Sequence, residues 1–107
     1  MVINYYELND FIVLEVTGEI IKNNESKYLC EILDTLIDSG KRRIGIDLSY
    51  VSYADSELVN IITRYNNRLS QKENGSLMIV SPNEIVCKLL KVSRIDQNVE
   101  IVYKDVS

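Results

Sequence analysis

Histidine and tryptophan are both absent from this 107-residue chain, which also has only one proline, two cysteines and four glycines. Each shortage removes a class of chemistry. Without histidine, no His-based nucleophilic triad can be assembled, and the commonest zinc ligand is missing as well. Cys30 and Cys87 are too few for a disulfide framework, and both fall inside apolar helical patterns, where a free thiol packs as a small hydrophobe. The scattered glycines form no phosphate-cradling loop. The acidic residues lack the spacing of a calcium or zinc site, so neither a metal nor a cofactor is expected. Glu15 and Glu19 read as solvated strand-edge charges. No run of about 18 apolar residues and no secretory h-region is present, which points to a cytoplasmic domain without direct membrane contact. A net charge of −4 argues against nucleic acid, because neutralising phosphates needs a basic face. The one basic cluster, Lys41-Arg42-Arg43, follows Ser39-Gly40 and reads as the solvated end of a helix, where cations suit the dipole.

What is present is ordinary globular material. With 46% hydrophobic and 26% charged residues, the chain is rich enough in apolar groups to bury a core, and its length suits one domain over residues 1–107. Val2 to Tyr6 is weakly strand-like, and Asn9-Asp10 suits a turn. Phe11 to Val16 is a short, nearly continuous apolar run, the mark of a strand covered on both faces, and Gly18 ends it. Asn23 or Asn24 is placed to cap a helix carrying Tyr28, Leu29, Ile32, Leu33, Leu36 and Ile37, which stops at Gly40. Ile44, Ile46 and Leu48 alternate, giving a strand over Arg43 to Leu48. A second helix runs from about Ser56 to Gln71, with Leu58, Val59, Ile62, Tyr65 and Leu69 along one side. Gly75 breaks the connection to a strand at Leu77 to Val80. Ser81-Pro82-Asn83-Glu84 has the form of a capping box, with Ser81 as cap and Pro82 in the first helical position. The helix it opens buries Ile85, Val86, Leu89 and Leu90, and Val99, Ile101 and Tyr103 alternate in a last strand. The order β-β-α-β-α-β-α-β predicts an α/β fold with a small mixed sheet and right-handed crossovers. Three helices are few for two layers, so they should pack mainly on one face.

Between the strand at Arg43 to Leu48 and the second helix lies a polar stretch, read as a short turn. Ser49, Ser52, Asp55 and Ser56 crowd the carboxyl end of that strand, the edge at which open α/β sheets bind ligands and partners. Asp55 or Ser56 caps the helix, a role that both residue types fill whether or not they do anything more. No base accompanies Ser56, since histidine is absent and nothing singles out a lysine. Intrinsic catalysis is therefore not expected. A hydroxyl presented beside a helix amino terminus is well placed to carry a phosphate.

Asp47-Leu48-Ser49-Tyr50-Val51-Ser52-Tyr53-Ala54-Asp55-Ser56 resembles the signature of the STAS domains, specifically the bacterial anti-sigma factor antagonists. Thr17-Gly18-Glu19, Ser81-Pro82 and the element order extend the resemblance over almost the whole chain. It implies phosphorylation of Ser56 by a partner that is both anti-sigma factor and serine kinase. It also implies a partner surface of Ser49, Tyr50, Ser52, Tyr53, Asp55, Ser56, Glu57 and Leu58. Unmodified antagonist binds the partner and frees the sigma factor; phosphorylated antagonist releases it. Two positions depart from the pattern: Leu58 stands where the family has glycine, and Ile21 where a polar residue is common. The alternative is a constitutive STAS scaffold or accessory subunit, of stressosome or ABC-transporter type, with Ser56 only a helix cap and Tyr50, Tyr53 and Leu58 supplying contact area. The oligomeric state is left open.

Overall fold

The computed structural model describes residues 1–22 and 24–104. The Asn23 reading therefore lies outside the described residues, and Asn24 opens the first helix. The elements are β1 (Val2–Leu8), β2 (Phe11–Ile20), α1 (Asn24–Asp38), β3 (Arg43–Ala54), α2 (Ser56–Ser70), β4 (Ser76–Val80), α3 (Glu84–Val92), a single 3₁₀ turn at Ile95–Gln97, and β5 (Glu100–Val102). Strands lie in the order β1-β2-β3-β4-β5. β1 and β2 form an antiparallel hairpin closed at Leu8↔Phe11, and Asn9 and Asp10 both have positive φ, the two-residue turn that matches strand twist. The other three pairings are parallel.

From β2 onward the sheet grows in one direction. Right-handed crossovers then deliver every helix to the same face. The main core shows this: Leu29 and Leu33 of α1, Leu58, Ile61, Ile62 and Leu69 of α2, and Val86 and Leu90 of α3 all join one cluster with Leu14, Val16, Ile44, Ile46, Leu48, Leu77 and Ile79 of the sheet. Tyr65 is buried there too, its hydroxyl donating to the Cys30 carbonyl and the Asp34 carboxylate and so joining α2 to α1. The opposite face carries only a small cluster, Phe11, Val13, Met78 and Val80, flanked by Tyr6, Leu8 and Val102. No helix covers it among the described residues.

Several boundaries differ from the sequence reading. β2 does not end at Gly18. It continues to Ile20, with Gly18 at φ +123° and its α-carbon side so close to the Met1 backbone that a Cβ would sit 3.3 Å from the Met1 α-carbon. β3 does not end at Leu48 but runs on to Ala54, so the expected polar turn is strand. Twice, between Glu15 and Thr17 and between Gly18 and Glu19, β3 carries one residue more than β2 opposite it. These bulges break the alternation that would have revealed the strand. The capping box is out of phase: Asn83, not Ser81, caps α3, accepting from the Val86 N–H, and Pro82 precedes the helix. Ile85 is consequently exposed while Val86 and Leu90 are buried. Tyr28 is exposed on α1, Tyr103 lies beyond β5 and is exposed, and both cysteines are free and half-buried.

Candidate functional site

The site is assembled where the bulged end of β3 runs into α2. Asp55, in extended conformation, accepts a hydrogen bond from the Glu57 N–H through its Oδ1 at 2.9 Å and so is the cap of α2. Its own N–H donates to the Ile20 carbonyl at 3.3 Å, anchoring the helix start to the end of β2. Ser56 is therefore the first helical residue and not the cap. It is exposed, and its hydroxyl has no partner among the described residues.

Behind it, Asn83 holds the bulged strand. Its side-chain amide donates to the Val51 carbonyl at 2.6 Å and the Ser49 carbonyl at 3.5 Å, while its Oδ1 caps α3. Sequence reasoning had given Asn83 no role beyond a place in the capping box. An Asn within a Ser-Pro-Asn-Glu run is the one local signal that could have flagged it. The strand so held presents Tyr50, 57% exposed, and Tyr53, 51% exposed, with Ser52 also at the surface.

The eight expected surface residues thus divide. Tyr50, Ser52, Tyr53 and Ser56 lie exposed around the carboxyl end of β3, with Asp55 half-buried beside them. Glu57 turns toward a groove of about 640 Å³ between α1 and α2, shared with Lys22, Cys30, Asp34 and Arg64. Ser49 is drawn inward, its N–H and hydroxyl both donating to Asp47 Oδ1. Leu58 is 0% exposed and packs in the main core, so it offers no contact area to a partner. The departure from the family's glycine therefore places a side chain in the core.

Asp47 is the electrostatic centre behind the site. It is wholly buried, yet accepts four hydrogen bonds: two from Ser49, one from the Tyr6 hydroxyl at 2.7 Å and one from the Lys104 ammonium at 2.6 Å. Burial disfavours its charge, but the bonds from Lys104, Ser49 and Tyr6 outweigh that and hold the carboxyl below the usual range. Burial and then the bond to Asp47 push the Tyr6 phenol well up. The bond to Asp47 raises the Lys104 ammonium against the opposing effect of burial. Glu15, expected as a solvated edge charge, sits on an interior strand as the register partner of Asp47, 3.7 Å from Lys104. None of this network was legible in sequence.

Among the described residues, no cluster of His, Cys, Asp or Glu is arranged to hold a metal ion, and no helix is long and apolar enough to cross a membrane. Comparison with known proteins gives a consistent picture. No curated protein matches the sequence significantly. A Thermotoga maritima protein assigned as an anti-sigma factor antagonist has a crystal structure similar to this one, with a TM-score of 0.82 and 26% identity over 97% of this chain and 87% of that one. An anti-sigma factor antagonist from Mycobacterium paratuberculosis gives 0.81 at 19% identity over 98% and 86% of the two chains. The antagonist SpoIIAA in its unphosphorylated form gives 0.77 at 14% identity over 97% and 89%. At those last two identities the likeness speaks for the fold alone. The family model for the STAS domain matches residues 2–107, and the chain belongs to that family.

Proposed function

We propose that this STAS domain is a non-enzymatic regulator that antagonises an anti-sigma factor. In this reading it binds its partner through the exposed end of β3 and the start of α2, and phosphorylation of Ser56 by a serine kinase, the anti-sigma factor itself, ends the complex. One observation carries the reading: among the described residues the Ser56 hydroxyl has no partner, at the amino end of a 15-residue helix whose capping bond is already made by Asp55. Capping accounts for Asp55. It leaves Ser56 without a structural duty, which disfavours the constitutive scaffold with Ser56 as a mere cap.

A phosphoryl group at this position adds roughly −1.5 to −2 charges at neutral pH. The helix dipole favours it by about 0.3–1 kcal/mol, and Asp55 and Glu57 oppose it to a similar extent, so the domain itself is little affected. The partner feels the change. A surface shaped around a small neutral hydroxyl now faces an unpaired anion, a cost of about 3–5 kcal/mol where the contact is dry. At about 1.4 kcal/mol per decade that lowers affinity by two orders of magnitude or more.

The test has two arms. Incubation with host cytosol and ATP, followed by peptide mass spectrometry, should find phosphate on Ser56 and none in Ser56→Ala. Ser56→Asp should bind the anti-sigma factor at least tenfold more weakly while melting within a few degrees of wild type. Equal binding by Ser56→Asp and wild type, with no phosphate on Ser56, would leave the scaffold reading in possession.

A further inference from the structure

The face of the sheet that no helix among the described residues covers holds a formed site for a primary ammonium, and the chain fills it with its own lysine. Lys104 Nζ lies 2.6 Å from Asp47 Oδ2 and 3.7 Å from Glu15 Oε2. Two aromatic rings complete the surroundings, with the centroid of Tyr6 at 5.3 Å and that of Tyr50 at 5.6 Å from the same nitrogen. Carboxylates and aromatic ring faces are the two environments that best replace water around an ammonium. Asp47 is wholly buried, its remaining oxygen is satisfied by Ser49, and Tyr6 adds a hydrogen bond to the same Oδ2 that Lys104 uses. Every wall of the cage comes from β1, β2 and β3, the best-connected part of the sheet, whereas the occupant comes from just beyond the three-residue edge strand β5.

The occupant is partly open to solvent. Its side chain is 29% exposed, and the anchor nearest to it is its own backbone N–H donating to Ser81 Oγ at 2.9 Å. A cage built by three neighbouring strands and filled by a partly exposed lysine from outside them has the thermodynamic form of a binding site carrying an intramolecular ligand, which an external ligand of the same chemistry competes with by mass action.

We propose that Asp47, Glu15, Tyr6 and Tyr50 form an ammonium-binding site whose resident ligand, Lys104, is exchangeable for a primary ammonium supplied from outside, as a free aliphatic amine or as a lysine side chain. Tyr50 belongs both to the cage and to the exposed end of β3, and Ser49 beside it is bonded to Asp47, so occupancy of the cage fixes their placement. That last consequence alone rests on the partner-surface reading; the binding site does not.

Truncation supplies the test. Lys104→Ala removes the atoms of n-propylammonium from an otherwise intact cage and leaves Asp47 buried without its cation. The melting temperature should fall by about 5 °C or more. n-Propylammonium chloride at tens of millimolar should recover at least half of that loss, and Nα-acetyl-lysine N-methylamide reports whether a lysine side chain enters as a free amine does. Potassium chloride at equal ionic strength should recover none of it. Lys104→Met, whose thioether chain refills the cage, should melt low and stay unresponsive to the amine. Equal responses of Lys104→Ala to the amine and to potassium chloride would overturn the proposal. Should Lys104→Ala fail to fold, the amine is titrated into wild-type protein and followed by ¹H–¹⁵N spectra. Amide shifts at Ser49, Tyr50 and Lys104 beyond those in potassium chloride support the exchange, and spectra identical in the two salts overturn it. No partner protein enters either measurement, so its outcome is independent of the fate of Ser56.

Discussion

At the scale of single residues, the domain depends on one carboxylate. Asp47 is removed from water but compensated by four donors, and a buried charge so paired is costly to disturb from either side. The sign of its pH dependence follows from its depressed folded value. Its contribution is present above the unfolded carboxylate range near pH 4 and is lost as pH falls through the lower folded value. Lys104 and Tyr6 are raised above their ordinary 10.5 and 10.0, so their contributions are full below those values and disappear as pH climbs through the folded ones. The urea midpoint should therefore be level between about pH 5 and pH 9 and fall on both sides. Asp47→Asn keeps the shape, loses the charge and should cost about 2 kcal/mol at pH 7. It should also flatten the acid limb. An unchanged acid limb in Asp47→Asn would place the sensitivity in some other carboxylate. Leu58 makes the complementary point, since the position that departs most visibly from the family pattern proves to be pure core.

At the scale of elements, the sequence was informative wherever a segment followed one period and obscure wherever two devices overlapped. α1, α2 and the hairpin turn at Asn9-Asp10 were legible because apolar spacing and turn residues agreed. The second half of β3 was not, because its two bulges scatter polar and apolar side chains out of alternation. Gly18 read as a terminator because a glycine in a strand has two meanings, and here its positive φ lies within a strand that continues to Ile20, opposite a bulge of β3. The start of α3 failed for a different reason. Ser81 and Asn83 are both good caps, and only tertiary contacts assign them: Ser81 accepts from the Lys104 N–H, while Asn83 caps the helix and clamps Val51. A pair of variants separates these duties. Asn83→Ala should cost about 2 kcal/mol, one part from the lost cap and one from the freed Val51 carbonyl, and should speed hydrogen exchange in the first turn of α3. Ser81→Ala should leave exchange in that turn unchanged. The reverse pattern would restore the capping box as first read.

At the scale of the whole molecule, the one-way growth of the sheet gives it two unlike faces. The helix face holds the main core and the fold. The bare face holds a polar network between residues 41 and 57 positions apart in the chain, a separation that no local sequence pattern encodes. Ser56 belongs to neither: it stands at the surface where β3 hands over to α2, outside both clusters of buried apolar residues. The alternation of strands and helices revealed the layout, and the polar carboxyl end of β3 marked the segment proposed as the site, but which of its residues reach solvent required the fold. That placement makes a demand on the proposed switch. A modification outside the core, with a favourable dipole of about 0.3–1 kcal/mol set against repulsion of similar size, has no lever on the fold as a whole. Phosphorylated and unmodified protein should accordingly melt within about 3 °C of one another, since about 0.5 kcal/mol moves a domain of this size by only a few degrees. Amide shifts in ¹H–¹⁵N spectra should be confined to residues 49–60, the end of β3 and the start of α2, with the rest of the sheet unmoved. Shifts spreading through β4, α3 and β5 would instead mean that the phosphate acts by remodelling the domain, and the account of release by direct conflict at the partner surface would have to be abandoned.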